Sequence, residues 1–368
     1  MSKFIPVNEP LLQGNEAIYL RECVQTGWVS SQGPFVARFE QEMATRLSRK
    51  HAIAVSSGTS ALEAAMVALD LGPGDEVIMP SFTMIACAAG VVRCGATPVL
   101  VDSHSDTWNM NVEAVEAAIT PRTRAIMAVH IYGLPVDMTP LLELAARHKL
   151  AVIEDAAEAL GQSYFDSPCG SMGDLSILSF YPNKHITTGE GGMILTDDDA
   201  LAARCRGLRD QCYLPEKRFV HEELGWNMRM SNLQAAVGVA QLEQLDRFLS
   251  LKRRMGRKYN NELTGLPLQL PAAQRPYAQN LYWVFGVVLF SEKETTDAMA
   301  ALKAQGIGTR PFFWPMHEQP VFKKRGLFAE ATLPVSEHLA RHGFYLPSGL
   351  ALTDAQQDRV ISVLRALF

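Results

Sequence analysis

Two periods of apolar residues interleave along this chain. Short, nearly continuous apolar runs occupy residues 51–55, 76–80, 97–101, 125–129, 150–155 and 175–180, with 193–196 close behind. Runs of this length, bounded by Gly, Pro and polar clusters, predict strands buried on both faces. Between them lie stretches with helical spacing at 14–25, 35–47 (Phe35, Phe39, Met43, Leu47), 61–69 and 138–148. Strands alternating with helices predict βαβ units: an α/β fold with a mostly parallel sheet and helices on both faces. In such a sheet, ligands sit beyond the carboxyl ends of the strands.

The pattern changes after Asn232. Helical spacing then runs unbroken to about Leu263 and predicts one long helix leading to a smaller unit; a Pro-rich segment, 266–276, ends it. A strand over 282–289, a helix over 295–305, an aromatic and Pro-rich loop over 310–322 and a last helix capped by Thr353 complete the chain. At 368 residues the chain exceeds one ordinary core. The expected division is a large domain over 1–245, with an N-terminal segment 1–34, and a small domain over 246–368.

Composition narrows the class. Hydrophobic residues make up 48% and charged residues 20%, the balance of a globular chain. A net charge of −5 offers no basic footprint for nucleic acid. Six cysteines are scattered without CxxC pairs or metal-ligand spacing, so no metal is expected and the thiols read as reduced, in a cytoplasmic protein. Residues 1–6 lack the apolar core of an export signal. The most apolar window, 77–101, is interrupted by Pro80, Gly90, Arg93 and Gly95, so no membrane span is expected.

Three groups at strand ends carry candidate chemistry. Ser56, Ser57, Gly58 and Thr59 stand between a strand and a helix, where hydroxyls and free N–H groups either cap the helix or hold a phosphate. Asp155 closes an apolar strand, either as a cap or as a buried carboxylate requiring a partner. Lys184 follows the run 175–180 on a loop with Thr187, Thr188, Gly189, Gly191 and Gly192. It is a solvated loop lysine, a phosphate counter-ion or a desolvated amine for covalent chemistry. Phosphate cup, acid and lysine in that order match what pyridoxal 5′-phosphate requires.

With these residues the chain resembles the DegT/DnrJ/EryC1/StrS sugar aminotransferases, within the fold type I pyridoxal phosphate enzymes. The likeness runs through the 27–34 loop, Ser57, Gly58 and Thr59, the stretch 154–157, Asn183 and Lys184 with 188–192, and 225–229. It implies a seven-stranded sheet, a small C-terminal α+β domain and a homodimer with shared active sites. It also implies that Lys184 bonds the cofactor and later carries a proton, and that Asp155 keeps the ring nitrogen protonated. Gly58, Thr59 and Ser179 would hold the phosphate, and Asn227 would reach it from the other subunit. Met84 stands where the family usually has an aromatic stacked on the cofactor ring. Glu158 stands where most members have Gln or His. One branch of the family carries histidine in place of the lysine and removes a hydroxyl; here Asn183 before and 188–192 after align Lys184, not His185, with that position, which points to amino transfer.

The resemblance implies L-glutamate (leaving as 2-oxoglutarate) as donor, pyridoxamine 5′-phosphate as the amine-bearing form and a keto-sugar as acceptor. Glu158, residues 186–193 and 310–317 are most similar to the branch that aminates C4 of GDP-4-keto-6-deoxy-D-mannose for lipopolysaccharide sugars. The alternatives are another keto-sugar, nucleotide-linked or a free acid such as an 8-oxo-octulosonate, or a regulator that keeps the fold without turnover. Candidate substrate residues are Trp28, Ser30, Arg229, Arg310 and His317; Trp283 and Trp314 read as core or interface.

Overall fold

The computed structural model describes residues 4–214, 216–290 and 295–368; residues 1–3, the start of the stretch read for an export signal, lie outside it. Helices α1 (Glu16–Thr26) and α2 (Pro34–Arg46) precede β1 (His51–Val55). There follow α3 (Gly58–Ala68), β2 (Glu76–Pro80), α4 (Ile85–Arg93), β3 (Thr97–Val101), β4 (Thr123–Val129), α5 (Met138–His148), β5 (Ala151–Asp155), β6 (Leu175–Ser179), β7 (Gly192–Thr196) and α6 (Asp199–Arg209). The seven strands form one sheet in the order β1-β7-β6-β5-β4-β2-β3. Its β6, β5, β4, β2 and β3 run parallel, while β7 is antiparallel to both of its neighbours.

Side chains along each strand alternate between two buried faces, which is why the runs read as continuously apolar. Ile53, Met79, Met127, Ile153, Ile177 and Ile194 pack with Leu62, Ala65 and Met66 of α3 and with Cys87 and Val91 of α4. On the opposite face Ala52, Leu178, Met193 and Leu195 meet Phe35, Phe39 and Met43 of α2, and Ile126 and Val152 meet Leu141 and Leu144 of α5. This is the α/β architecture the alternation predicts.

The long helix predicted from Asn232 is two helices, α7 (Asn232–Leu242) and α8 (Leu245–Leu263). No Gly or Pro breaks it. Glu243 at the junction accepts hydrogen bonds from Asn15 (2.7 Å), Tyr19 (2.6 Å) and Arg38 (3.0 Å) on the N-terminal segment, and Leu245 turns into the core beside Phe248 and Leu249. Beyond it lie β8 (Leu268–Gln269), β9 (Phe285–Leu289), α9 (Thr295–Ala304), β10 (Arg310–Pro311), α10 (Pro320–Lys323), α11 (Pro334–His342), β11 (Gly343–Leu346) and α12 (Asp354–Leu367). A four-stranded antiparallel sheet, β8-β9-β11-β10, packs under α8, α9 and α12 through Tyr259, Phe285, Leu302, Phe344 and Leu364. Thr353 caps α12 in a reciprocal capping box with Gln356.

The strand predicted over 282–289 begins only at Phe285. Tyr282 takes a positive φ of 58°, and Trp283 N–H donates to Tyr132 O at 3.1 Å, so these residues run along the large sheet's loop before entering the small sheet. Among the described residues no helix is long and apolar enough to cross a membrane.

Candidate active site

Three chain segments meet at Gly192. It pairs with Val55, the end of β1, and with Ser179, the end of β6. A Cβ at Gly192 would lie 2.3 Å from Ser57 O and 2.6 Å from Gly58 N, so only glycine lets the β1–α3 turn sit on the start of β7. A Cβ on Gly58 would likewise stand 2.9 Å from Cβ of Ser179. Ser57 caps α3, its Oγ accepting from Ser60 N at 3.0 Å, while Ala61 N–H returns to Ser57 O. The N–H groups of Gly58 and Thr59, the first of the helix, lie ahead of any intrahelical acceptor and open beside the Ser179 hydroxyl. Of the two roles left open in the sequence, Ser57 takes the cap, and the N–H groups of Gly58 and Thr59 stay outside it.

The loop 180–191 leaves β6 and returns at β7. Phe180 N–H donates to Gly191 O (2.9 Å) and Thr188 N–H to Phe180 O (3.0 Å). The threonine hydroxyls are internal: Thr187 Oγ1 donates to Phe180 O and Thr188 Oγ1 to Glu190 O. They are ties of the loop. Within this frame Lys184 Nζ lies 3.8 Å from Glu158 Oε1 and 3.8 Å from the centroid of the Trp283 ring. Burial pushes the amine below its ordinary range, opposed by Glu158, Asp155 and Cys87. His185 points the other way, fully buried, and among the described residues neither ring nitrogen has a hydrogen-bond partner. Burial, with Lys252, Lys184 and Arg253 adding to it, holds that imidazole neutral.

Asp155 ends β5 on the floor of the same space. Oδ1 accepts from Ala157 N–H (3.0 Å), and Oδ2 is met by the thiol of Cys87 (3.3 Å). Burial raises its pKa, and Ala157, Cys87 and Lys184 only partly offset that. The preceding Glu154 is the contrast. Burial works against its charge too, yet His130, Gly170 N–H and Ser176 hold it down to about 2. Its oxygens accept from Gly170 N (2.6 Å), Met172 N (2.8 Å), Gly173 N (3.1 Å) and Ser176 Oγ (2.7 Å), which pins the same carboxyl end of β5. Glu158, by comparison, has Tyr132 N–H on Oε2 (3.0 Å) and the distant Lys184 amine; burial raises it to about 7.

A cleft of about 250 Å³ gathers Ser57, Gly58, Thr59, Met84, Asp155, Glu158, Ser179, Lys184 and Trp283. A more open groove of about 620 Å³ lies along Phe165–Asp166 and 274–279; it holds none of these groups and borders no end of the large sheet. Met84 caps α4 at the cleft's mouth, 48% exposed. The remaining sequence candidates lie outside this lining. Arg229 pairs with Asp210 (2.5 Å) and holds Asn227 Oδ1 (3.0 Å), both on the exposed edge beside β1. His317 is buried between Ser81 (2.9 Å) and Glu337 (3.0 Å), fixing the segment that leads to Met84. Arg310 is exposed and donates to Thr309 O. The carbonyls of Trp28 and Ser30 accept from the side chain and main chain of Asn232. Trp283 and Cys87 are the site residues that sequence reasoning missed; neither has a local motif.

The donor set fits pyridoxal phosphate. Asp155 is a buried carboxylate with one oxygen served only by a weak thiol donor, a place for a protonated ring nitrogen. The cradle at Gly58 and Ser179 is open to a phosphate, and a desolvated amine faces the space between.

The family profile of the DegT/DnrJ/EryC1/StrS aminotransferases matches residues 10–365. GDP-perosamine synthase of Caulobacter vibrioides is 46% identical over 366 residues, 98% of this chain and 97% of that one. The enzyme of the same name from Vibrio cholerae is 40% identical, with 99% of each chain covered. Among solved structures, DesV of S. venezuelae superposes with a TM-score of 0.90 at 37% identity over 96% of this chain and 94% of that one. An aminotransferase from Psychrobacter cryohalolentis gives a TM-score of 0.92 at 29% identity, over 99% and 98%.

Proposed function

The chain belongs to the DegT/DnrJ/EryC1/StrS aminotransferase family, and from that premise we propose that it moves the amino group of L-glutamate to a nucleotide-linked keto-sugar. The acceptor we assign is GDP-4-keto-6-deoxy-D-mannose, aminated at C4 to GDP-perosamine, a step in lipopolysaccharide sugar synthesis. The observation that carries the chemistry is the convergence of Lys184, Asp155 and the Ser57–Ser179 cradle on one cleft. The 46% identical Caulobacter enzyme carries the choice of sugar.

Gly58, Thr59 and Ser179 would hold the phosphate of pyridoxal phosphate and Asp155 its ring nitrogen; when bound, the group would supply an electron sink and an amino carrier. The protein's own groups do the rest. Burial lowers the pKa of the Lys184 amine, which favours its neutral form and suits Nζ both to attack a carbonyl and to move a proton. Asp155 offers its carboxylate from a strand end that cannot shift, because Ala156 N–H is held by Ile177 O and the Asp155 carbonyl by His130 N–H. Glu158 carries a proton for much of the neutral range and can donate it to an oxygen in the cleft.

We also read the active unit as a cytoplasmic homodimer. Phe219 (73% exposed) and Leu224 (89%) stand out on the segment from Lys217 to Trp226, next to Asn227, and Ile18, Val24 and Trp28 add exposed apolar area. Apolar area of this kind on a globular surface supports association. It would also give Asn227, which turns away from its own cleft, a partner's cleft to enter.

The test is glutamate-dependent amination measured over a panel of keto-sugars, with and without nucleotide. Turnover of GDP-4-keto-6-deoxymannose is expected. Good turnover of a different keto-sugar in its place would leave the class standing and remove the specificity. A colourless protein that never takes up the cofactor would favour a non-catalytic regulator.

A further inference from the structure

Trp283 is held from three sides. Its indole N–H donates to Asn183 O (2.8 Å), the carbonyl immediately before Lys184. Its main-chain N–H donates to Tyr132 O (3.1 Å), and its carbonyl accepts from the buried amine of Lys252 (2.8 Å), which also binds Ser348 O. Tyr132, with ring centroids 5.9 Å apart, covers part of the remaining surface. The indole is 2% exposed and cannot swing. Its face receives the Lys184 amine at 3.8 Å from the centroid.

We propose that this indole face is the seat for the Lys184 amine whenever that amine is not bonded to the cofactor, which makes Trp283 a positioning residue for Lys184. The proposal rests on the aminotransferase reading above. Its physical basis is what surrounds a buried ammonium here. Glu158 at 3.8 Å is beyond hydrogen-bond reach, Asp155 acts only through its field, Cys87 is a thiol, and the adjacent His185 is neutral. The negative face of an indole supplies the missing stabilisation, and desolvation strengthens it. The same contact holds Nζ between Trp283 and Glu158, within the cleft lining, without a search through rotamers.

The experiment uses the full-length apo-protein and pyridoxal phosphate as probe. Uptake is followed by absorbance across pH for wild type, Trp283→Phe and Trp283→Leu. Carbonyl condensation consumes the neutral amine and releases water, so the acid limb of the uptake rate reports how strongly the cation is held. Without an aromatic face the limb is expected to move down by about one pH unit, roughly a tenfold change in neutral amine at fixed pH. Phe should keep most of the wild-type limb. A lower rate at every pH with an unmoved limb would mean a packing role only and overturn the inference. If the Leu variant does not fold, the indole spectrum decides. Wild-type apo-protein should show an indole difference band as Lys184 titrates, absent in Lys184→Met and in Trp283→Phe; an identical titration in all three sinks the proposal. A wild type that takes up no cofactor at any pH would remove the enzymatic reading and this inference with it.

Discussion

The thiol of Cys87, on α4, donates to Oδ2 of Asp155, at the end of β5, across 3.3 Å. The thiol is fully buried, and burial, with the Asp155 charge behind it, pushes its pKa far up, so it stays a neutral donor through the working range. Two strands separate α4 from β5 in sequence, and only the parallel packing of β2, β4 and β5 brings them together.

Cys87→Ala should therefore weaken cofactor retention while Cys87→Ser keeps it. Losing one donor to a buried carboxylate costs about 1 kcal/mol, which is roughly a fivefold rise in the dissociation constant. Equilibrium dialysis of pyridoxal phosphate against both variants measures it. Equal affinity in wild type and Cys87→Ala would show that Asp155 needs no help from the thiol.

Glu158 gives a pH signature in the apo-protein. Its ordinary value is 4.5 and burial raises it to about 7. Below 4.5 folded and unfolded chains both hold the proton, and the group's contribution to stability is complete. As pH rises between the two values, the unfolded chain releases its proton first and stability falls; above about 7 the loss is complete. Glu158→Gln should thus melt progressively higher relative to wild type from pH 5 to pH 7.5, by a few degrees at the upper end. A constant offset would place the carboxylate in an ordinary range.

Gly192→Ala tests the junction under the cradle. The added methyl meets the Ser57 carbonyl and Gly58 nitrogen at 2.3 and 2.6 Å, both backbone, so one chain must move. A cost of about 1–3 kcal/mol is expected, together with loss of inorganic phosphate as a competitor of cofactor binding. Wild-type melting temperature and phosphate competition in this variant would show that the turn has room.

At Leu224 the folded subunit has almost nothing to lose. Leu224→Asp should change the chemical stability of a subunit by less than about 0.5 kcal/mol, yet shift sedimentation from dimer toward monomer and lower cofactor retention in parallel. Unchanged sedimentation would place the interface elsewhere.

Much of this was legible before any coordinates. The strands 51–55, 76–80 and 97–101 appear where the apolar runs lie, because two-sided burial leaves few polar positions to blur them. α4 escaped notice for the opposite reason: Cys87, Ala88, Gly90 and Val91 are buried in a window apolar on every side, which hides a helical period. α6 buries only Ala202, Cys205 and Leu208 among its charged residues, too few to mark a face. The break at Glu243 is a tertiary event, made by hydrogen bonds from Asn15, Tyr19 and Arg38. In the site, Asp155 stood out because it closes an apolar run at a strand end, and Lys184 because it follows such a run on a glycine-rich loop. Trp283 did not, since its approach to Lys184 depends on the segment before the small sheet's strand running along Tyr132.

The direction of β7 has a consequence for the lysine itself. Had that strand run with its neighbours, the chain after Ser179 would have crossed back to the opposite end of the strands, and Lys184 would ride on a crossover held at one end. Because β7 runs backward, both ends of the 180–191 segment are fastened to adjacent strands at one rim, through the Ser179–Gly192 pair. The Lys184 amine is suspended from two fixed points a single strand spacing apart. Changes far along either strand can reach it only by sliding that pair out of register, which the buried side chains on both faces of the sheet forbid.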